Sequence, residues 1–177
     1  MTLLEIWRAP AAAAPMEQLA SARLVAGRGL EGDRYALGGG TWAQYPDQEK
    51  QLTLIDVADV AAVAGEVGVP LTPGDTRRNL VTAGVHLPSL VGQWFAVGDA
   101  LLFGTKRCPP CAHLARLTGV PLVRPLAARG GVNAAVFGGA TVREGDVVRL
   151  VSEEEAAGRG APTGPDRPVP RIVPLPD

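Results

Sequence analysis

The chain reads Trp94-Phe95-Ala96-Val97-Gly98-Asp99-Ala100-Leu101-Leu102-Phe103-Gly104 near its centre, two apolar runs joined by a Gly-Asp dipeptide. Glycine and aspartate are typical of tight turns, because they supply positive φ angles and local hydrogen bonds. Residues 141–148 have the same composition, with Gly145-Asp146 between apolar residues. Both segments therefore predict β-hairpins or strand entries.

Short apolar runs bounded by Gly, Pro and Asp recur along the chain, and such runs are typical of strands joined by turns. The predicted strands cover residues 3–7, 22–26, 51–55, 78–82, 94–97, 100–104, 132–137 and 147–151. We therefore expect a mainly β fold with a few helices, a closed or partly open β-barrel. Helical spacing predicts one helix over residues 56–67, with Asp56 as its N-cap, and a shorter one from Cys111 to Gly119.

The 177 residues suit a single domain over residues 1–151, followed by a proline-rich tail or strap over residues 152–177. A formal charge of -1 gives no global attraction to nucleic acid or to anionic membranes. No apolar run approaches the length of a membrane span, about 18 residues, and the start lacks the pattern of a secretory signal. We expect a cytoplasmic protein that binds neither nucleic acid nor membrane.

A glycine-rich segment runs from Gly27 to Tyr35 and is followed by Gly38-Gly39-Gly40. Glycine lets the backbone approach a ligand closely and leaves N–H groups available to an anion. A flexible surface loop has the same composition, so both interpretations stay open. The Gly-Lys-Ser/Thr of nucleotide hydrolases does not follow.

Two adjacent arginines begin the segment Arg77-Arg78-Asn79-Leu80-Val81-Thr82. Neighbours in a strand point to opposite faces, so one guanidinium should face inward or into a cleft. There it could bind phosphate or carboxylate through two parallel hydrogen bonds. The alternative is a structural salt bridge to Asp75 or Asp33.

The two cysteines of the chain, Cys108 and Cys111, lie three residues apart beside Lys106 and Arg107. A thiol at a helix start and next to cations is favoured as a nucleophile and metal ligand, and Cys111 fits that position best. Three alternatives remain: buried apolar side chains, a thiol-disulfide pair, or a closed zinc site that also uses both histidines. For His86 and His113 we favour a structural or solvent role. His113 follows Cys111 by two residues on the predicted helix, and residues two apart on a helix do not face each other.

In this order the motifs resemble the MOSC domain, named after the C-terminal domain of molybdenum cofactor sulfurases. The resemblance spans about residues 3–151, through residues 29–35, 51–55, 77–85, 90–92, 108–111, 130–132 and 144–148. It implies a β-barrel linked to the molybdenum cofactor and to sulfur handling. Cys111 would be the family cysteine that carries sulfur or ligates molybdenum. Cys108 is the alternative, because the reductase branch has an Arg-Cys dipeptide, matched here by Arg107-Cys108.

The molybdenum cofactor is a pterin with two sulfurs on the metal and a terminal phosphate, so its host needs a thiolate and cations. The residues that the resemblance implies for cofactor binding are Arg77, Arg78, Asn79, Asp33, Arg34, Gly32 and Thr82. Pyridoxal phosphate is not expected, since the chain has no room for the desulfurase domain of full cofactor sulfurases.

The leading functional expectation is a molybdenum-dependent reductase of small N-hydroxylated or N-oxide compounds. No flavin or iron-sulfur motif is visible, so electrons would come from a separate donor protein. One alternative is a carrier that holds a persulfide on Cys111 and delivers sulfur for metal-sulfur cofactor assembly. The other is a thiol-disulfide module built on Cys108 and Cys111.

Overall fold

The computed structural model describes residues 1–41 and 50–167. In these two ranges the backbone forms eleven strands and three α-helices. The strands are β1 (Thr2–Arg8), β2 (Glu17–Leu19), β3 (Ser21–Val25), β4 (Gly29–Leu30), β5 (Leu52–Asp56), β6 (Leu80–Ala83), β7 (Trp94–Val97), β8 (Ala100–Arg107), β9 (Val132–Gly138), β10 (Thr141–Arg143) and β11 (Val148–Val151). The helices are α1 (Val57–Val67), α2 (Ala112–Thr118) and α3 (Glu153–Gly158).

Eight strands form one sheet in the order β11-β7-β8-β9-β5-β6-β1-β2, and β10-β3-β4 form a second sheet. The central hairpin is confirmed: β7 and β8 pair antiparallel, with Trp94 opposite Phe103 and Gly98-Asp99 at the turn. Residues 141–148 contain strand entries instead of a hairpin. β10 pairs with β3 and β11 pairs with β7, so the chain crosses between sheets at Gly145-Asp146.

The mainly β prediction is confirmed, whereas the barrel is not. Within the described ranges the two sheets do not close into a barrel. β1 meets the turn before β11 at an isolated bridge between Thr2 and Val147. The Leu3 N–H donates to the Asp146 carbonyl at 2.9 Å, and the Gly145 N–H donates to the Leu3 carbonyl at 2.8 Å. Gly145 has a φ of 90°, in the left-handed region, and the Val148 N–H donates to the Met1 carbonyl at 2.9 Å.

The apolar residues form clusters on both faces of the large sheet. The largest cluster draws on both sheets, with Leu24 from the small sheet and Leu54 from the large one. A second cluster lies under α1 and α2, where Ile55 contributes from β5 and Leu114 from α2. Successive side chains of a strand point to opposite faces, which explains why Leu54 and Ile55 enter different clusters. β5 is therefore buried on both faces, which gives the site a rigid base.

The two predicted helices are confirmed. Asp56 caps α1, its carboxylate accepting a hydrogen bond from the Ala58 N–H at 3.0 Å. Cys111 is the N-cap residue of α2, and Gly119 ends that helix with a φ of 69°. None of the helices in the described part of the chain is long and apolar enough to cross a membrane.

α3 was not predicted, and it lies in the segment expected to form a tail or strap. Its N-cap is Ser152, whose hydroxyl accepts from the Glu155 N–H at 3.0 Å. Ala156 is buried in a third apolar cluster with Trp94 and Phe103. Residues 168–177 of the expected tail lie outside the described residues.

Candidate functional site

A cavity of about 370 Å³ opens where β5, β8 and β9 meet the start of α2. We call it the cationic cavity, because six of its lining side chains carry a positive charge and no lining residue in the described ranges carries a carboxylate. The six are Arg34, Lys50, Arg77, Arg78, Lys106 and Arg107. Both cysteines line it as well, and this arrangement favours an anionic ligand with a thiolate contact.

A row of polar residues crosses three adjacent strands at the base of the cationic cavity. Thr53 on β5 lies opposite Asn133 on β9, and Asn133 lies opposite Lys106 on β8. All three are buried and line the cavity. Thr53 and Asn133 were not among the predicted site residues. The signal for them in the sequence was a polar residue between two apolar residues of a predicted strand.

Each of the three guanidinium nitrogens of Arg78 donates to a backbone carbonyl group. Its Nε donates to the Gly130 carbonyl at 2.8 Å, its Nη1 to the Thr76 carbonyl at 3.0 Å and its Nη2 to the Cys108 carbonyl at 2.9 Å. The residue is 7% exposed. It thus ties the Cys108 segment to two other loops and positions the Cys108 backbone, while its predicted contact with a cofactor stays a prediction.

Arg77 has an unusual backbone and a guanidinium that lacks acceptors. It ends the 3₁₀ helix Pro73–Thr76 with a φ of 58°, in the left-handed region. Its Nη1 donates to the Ala14 carbonyl at 2.8 Å, while its buried Nη2 has no hydrogen-bond partner in the described structure. Burial lowers the pKa of Arg77, and the neighbouring charge of Arg34 lowers it further.

The predicted strand start at residue 78 is wrong, because β6 begins at Leu80. The alternation expected of a strand therefore does not apply, and Arg77 and Arg78 both line the cavity. Neither forms a salt bridge with Asp33 or Asp75 in the described structure. The Asp75 carboxylate instead accepts from the Thr72 N–H and hydroxyl, both at 2.7 Å.

Asp33 lies behind the cavity and organises its neighbours. Its carboxylate accepts from the N–H groups of Ala9 and Tyr35, both at 3.1 Å, and from Asn79 Nδ2 at 3.2 Å. It also forms a buried ion pair with Arg34 Nη1 at 3.0 Å. Asp33 therefore holds Arg34 in the lining without reaching the cavity itself.

Tyr35 connects the arginines with the thiols. The Arg34 guanidinium lies 5.1 Å from the centre of the Tyr35 ring, and Arg34 Nη2 donates to the Arg77 carbonyl at 3.2 Å. Burial raises the pKa of Tyr35, Arg34 opposes this shift, and the charges of Cys108 and Cys111 add to it. Tyr35, Arg34 and Arg77 thus form one wall of the cationic cavity.

The two thiols differ in exposure. Cys108 is 8% exposed, and its N–H donates to the Gly131 carbonyl at 2.9 Å. Cys111 is partly exposed at the start of α2, and both thiols are free. His113, expected to have a structural or solvent role, also lines the cavity, with its Nε2 3.3 Å from Thr41 Oγ1. His86 lies outside the lining.

Comparison with known proteins now decides the family. A family model, the MOSC domain, matches residues 27–149. The chain belongs to the MOSC domain family. The resemblance seen in the sequence is thereby confirmed. No curated protein matches this MOSC chain in sequence.

Solved structures share the fold of this MOSC domain. The YuaD protein from Bacillus subtilis has a TM-score of 0.71 at 19% identity, covering 85% of this chain and 96% of YuaD. YiiM from Escherichia coli has a TM-score of 0.63 at 19% identity, covering 93% of this chain and 80% of YiiM. YiiM from Geobacillus stearothermophilus has a TM-score of 0.62 at 15% identity, covering 85% of this chain and 73% of that YiiM. Identities this low show the fold alone.

Several residues predicted to bind a cofactor support this MOSC fold without lining the cavity. Asn79 Oδ1 accepts from Thr53 Oγ1 at 2.8 Å, and the Thr82 hydroxyl donates to the Ile55 carbonyl at 3.3 Å. Gly32 is likewise outside the lining. A Cβ added at Gly29 would lie 2.0 Å from the Gln51 carbonyl oxygen, so that glycine permits close chain packing. The glycines of this segment thus lie outside the lining, whereas Arg34 and Tyr35 of the same segment line the cavity.

Proposed function

We propose that this MOSC domain binds the molybdenum cofactor in the cationic cavity, with Cys111 as the protein ligand of the metal. We further propose that it reduces N-hydroxylated or N-oxide compounds. One observation carries the proposal: two free thiols and six cationic side chains line the same cavity. A separate redox protein supplies the electrons in this proposal.

The donor set fits the cofactor. The described residues bring no three His, Cys, Asp or Glu side chains together as a metal site. A metal held here must therefore bring most of its own ligands, which a pterin with two metal-bound sulfurs does. A soft thiolate completes such a centre. Arg107 of the lining would pair with the phosphate.

When bound, the cofactor supplies a metal centre that passes electrons to the substrate. The protein residues do the rest by binding and positioning. Arg78 holds the Cys108 carbonyl, and through it the segment that leads to Cys111. Asp33 holds Arg34 against Tyr35, which orders the wall beside the thiols. Cys111 is preferred over Cys108 as the metal ligand, because it is the more exposed of the two thiols.

Elemental analysis tests the proposal directly. The protein is purified gently from a host that makes the molybdenum cofactor, as wild type, Cys111→Ser and Cys108→Ser. We expect close to one molybdenum per chain in the wild type and in Cys108→Ser, and almost none in Cys111→Ser. Reduced viologen dye with an amidoxime then tests for reductase activity. Wild-type protein without molybdenum from such a host contradicts the proposal.

A second candidate is a sulfur carrier, favoured by the partly exposed Cys111 within a cationic lining. Nearby positive charge stabilises the anion of a persulfide as it does a thiolate. Intact-mass measurement after sulfur loading should then show an adduct of about 32 Da, removed by a reductant. Cys111→Ser should lack the adduct and Cys108→Ser should keep it. An unmodified wild-type mass rules out the carrier.

A further inference from the structure

The stretch from residue 100 to residue 143 contains no Asp or Glu, although it holds six of the seventeen Lys and Arg residues. All eighteen acidic residues lie elsewhere in the chain, whose formal charge is -1. The stretch includes β8, α2 and β9, which carry side chains of the cationic cavity. Positive charge concentrated in this way attracts an acidic partner, and the attraction weakens as the ionic strength rises.

α2 carries a cationic and an apolar side chain to the surface beside the cavity. Arg116 and Leu117 are both exposed, Leu117 by 38%. They follow His113 by three and four residues, and residues at these spacings are neighbours on a helix. Because His113 lines the cavity, Arg116 and Leu117 lie beside it. Arg116 has no ion-pair partner in the described structure, unlike Arg129 and Arg149, which pair with glutamates.

A second exposed leucine lies on the adjoining segment. Leu37 is 64% exposed, and its N–H donates to the Asp33 carbonyl at 3.0 Å. The turn closed by this bond carries Tyr35, which lines the cavity. Thr41 follows in the same segment, with its Oγ1 3.3 Å from His113 Nε2. The segment that carries Leu37 is thereby joined to α2 beside the cavity.

The proposed reaction needs electrons that this chain does not supply. Breaking one N–O bond takes up two electrons and two protons, and the oxygen leaves as water. The two cysteines of the chain are fewer than the four ligands of an iron–sulfur cluster, and no flavin motif is visible. In the proposed function the metal is bound by Cys111, the N-cap residue of α2. Arg116 and Leu117 follow Cys111 by five and six residues, which is about 8–9 Å along the helix axis.

We propose that Leu37, Arg116 and Leu117, which we call the docking rim, bind the electron-donor protein, and that this donor has an acidic surface around its redox group. The two leucines supply apolar contact area, and Arg116 supplies charge complementarity together with the cationic cavity beside it. A donor bound at the docking rim lies within about one helix length of Cys111, so the electrons cross a short distance. This inference rests on the proposed function and adds the binding surface and the charge class of the donor.

An NMR titration tests the docking rim without any turnover. The cofactor-free full chain, labelled with nitrogen-15, is titrated at low ionic strength with an acidic plant-type ferredoxin and, separately, with the basic protein cytochrome c. We expect the ferredoxin to shift or broaden the amide signals of α2 and of the turn at Leu37, and high salt to weaken this effect. No change with ferredoxin, changes confined to other surfaces, or tighter binding of cytochrome c overturns the inference.

Charge and apolar variants separate the docking rim from the rest of the surface. Arg116→Glu should lower the affinity for ferredoxin about tenfold at low ionic strength. Arg23→Glu, at an exposed position of β3, changes the net charge equally and should lower the affinity by less than about twofold. Leu37→Ser should weaken binding, and Leu150→Ser, at an exposed leucine of β11, is its matched control.

Equal effects of Arg116→Glu and Arg23→Glu, or of Leu37→Ser and Leu150→Ser, overturn the inference. Thermal melts confirm that the variants fold, and Arg116→Gln replaces Arg116→Glu if the latter does not.

The source of the electrons gives the functional test. Molybdenum-containing protein is supplied with an amine N-oxide and with either reduced ferredoxin or reduced viologen, a small dye that needs no docking surface. Arg116→Glu and Leu37→Ser should slow the ferredoxin-driven reaction about tenfold, and leave both the viologen-driven reaction and the molybdenum content unchanged. Equal losses with the two electron sources overturn the inference. A wild type that lacks molybdenum and reduces nothing with viologen refutes the proposed function, while the NMR titration still decides the docking rim.

Discussion

Replacing Arg78 with methionine should destabilise the protein far more than the same replacement at the neighbouring Arg77. Arg78 is 7% exposed and donates to the carbonyl groups of Gly130, Thr76 and Cys108. Methionine provides a similar apolar stem but donates no hydrogen bond, so three carbonyl groups lose their partner. Arg77 makes one such bond, to the Ala14 carbonyl, and already has a donor without a partner.

The free energies follow from those contacts. A hydrogen bond from a charged donor contributes about 1.5–3 kcal/mol, so three of them contribute about 4.5–9 kcal/mol. Removing the buried charge returns part of its desolvation energy, which leaves a net loss of about 3–5 kcal/mol for Arg78→Met. At Arg77 the free energy lost with the one hydrogen bond is similar to the free energy gained by removing the unpaired buried donor. Arg77→Met should therefore change the free energy of unfolding by no more than about 1 kcal/mol. A chain of this length loses about 2–4 °C of Tm per kcal/mol, which predicts a fall of about 6–20 °C for Arg78→Met.

Urea unfolding followed by circular dichroism measures both variants against the wild type, with thermal melts as a second measurement. The reasoning is refuted if Arg78→Met unfolds within about 1 kcal/mol of the wild type, because the three carbonyl groups would then have other partners. It is also refuted if Arg77→Met loses as much stability as Arg78→Met.

Two other predictions concern a glycine and a phenol. Gly131→Ala should lower the free energy of unfolding, measured with urea, by more than about 3 kcal/mol. Gly131 has a φ of 86°, and a Cβ there would lie 1.9 Å from the Leu54 carbonyl oxygen. Gly65→Ala, in open space on α1, should instead gain about 0.5–1 kcal/mol, and equal effects at the two sites contradict the argument. Burial raises the pKa of Tyr35 above 10.0, so the unfolded chain releases this proton first and stability falls as the pH rises through the folded pKa. Tyr35→Phe should reduce the fall of the urea midpoint at alkaline pH. Tyr45→Phe, outside the described residues, is the control. An unchanged fall in Tyr35→Phe refutes the assignment of this pH dependence to Tyr35.

Local patterns predicted the elements whose signal lies within a few residues. The turn at Gly98-Asp99 joins strands that pair with each other, so composition alone identified the hairpin. The same dipeptide at Gly145-Asp146 joins strands that pair with different partners, which no local pattern reveals. Strands of two or three residues, such as β4 and β10, are too short for a periodic signal. For α3 a signal was present, since Ser152 and Glu155 have the spacing of a helix N-terminus.

The candidate site was predicted in part. Arg34, Arg77, Arg78, Cys108 and Cys111 all line the cationic cavity, as their motifs suggested. Asp33, Asn79, Thr82 and Gly32 belong to the same motifs but lie outside the lining. The motif residues are polar for two different reasons, ligand contact and support of the fold. Polarity in a sequence does not distinguish them, because both uses need the same donors and acceptors.

The amino-acid sequence by itself determined the family, the mainly β composition, the two principal helices and the presence of two thiols beside cationic residues. These depend on residue types, short spacings and the order of motifs. Only the tertiary structure decided that Arg78 serves the backbone while Arg77 remains available, and that Thr53 and Asn133 join the lining. The physical reason is that a guanidinium binds whichever acceptors its surroundings bring within about 3 Å, and strand pairing brings those acceptors from distant parts of the chain.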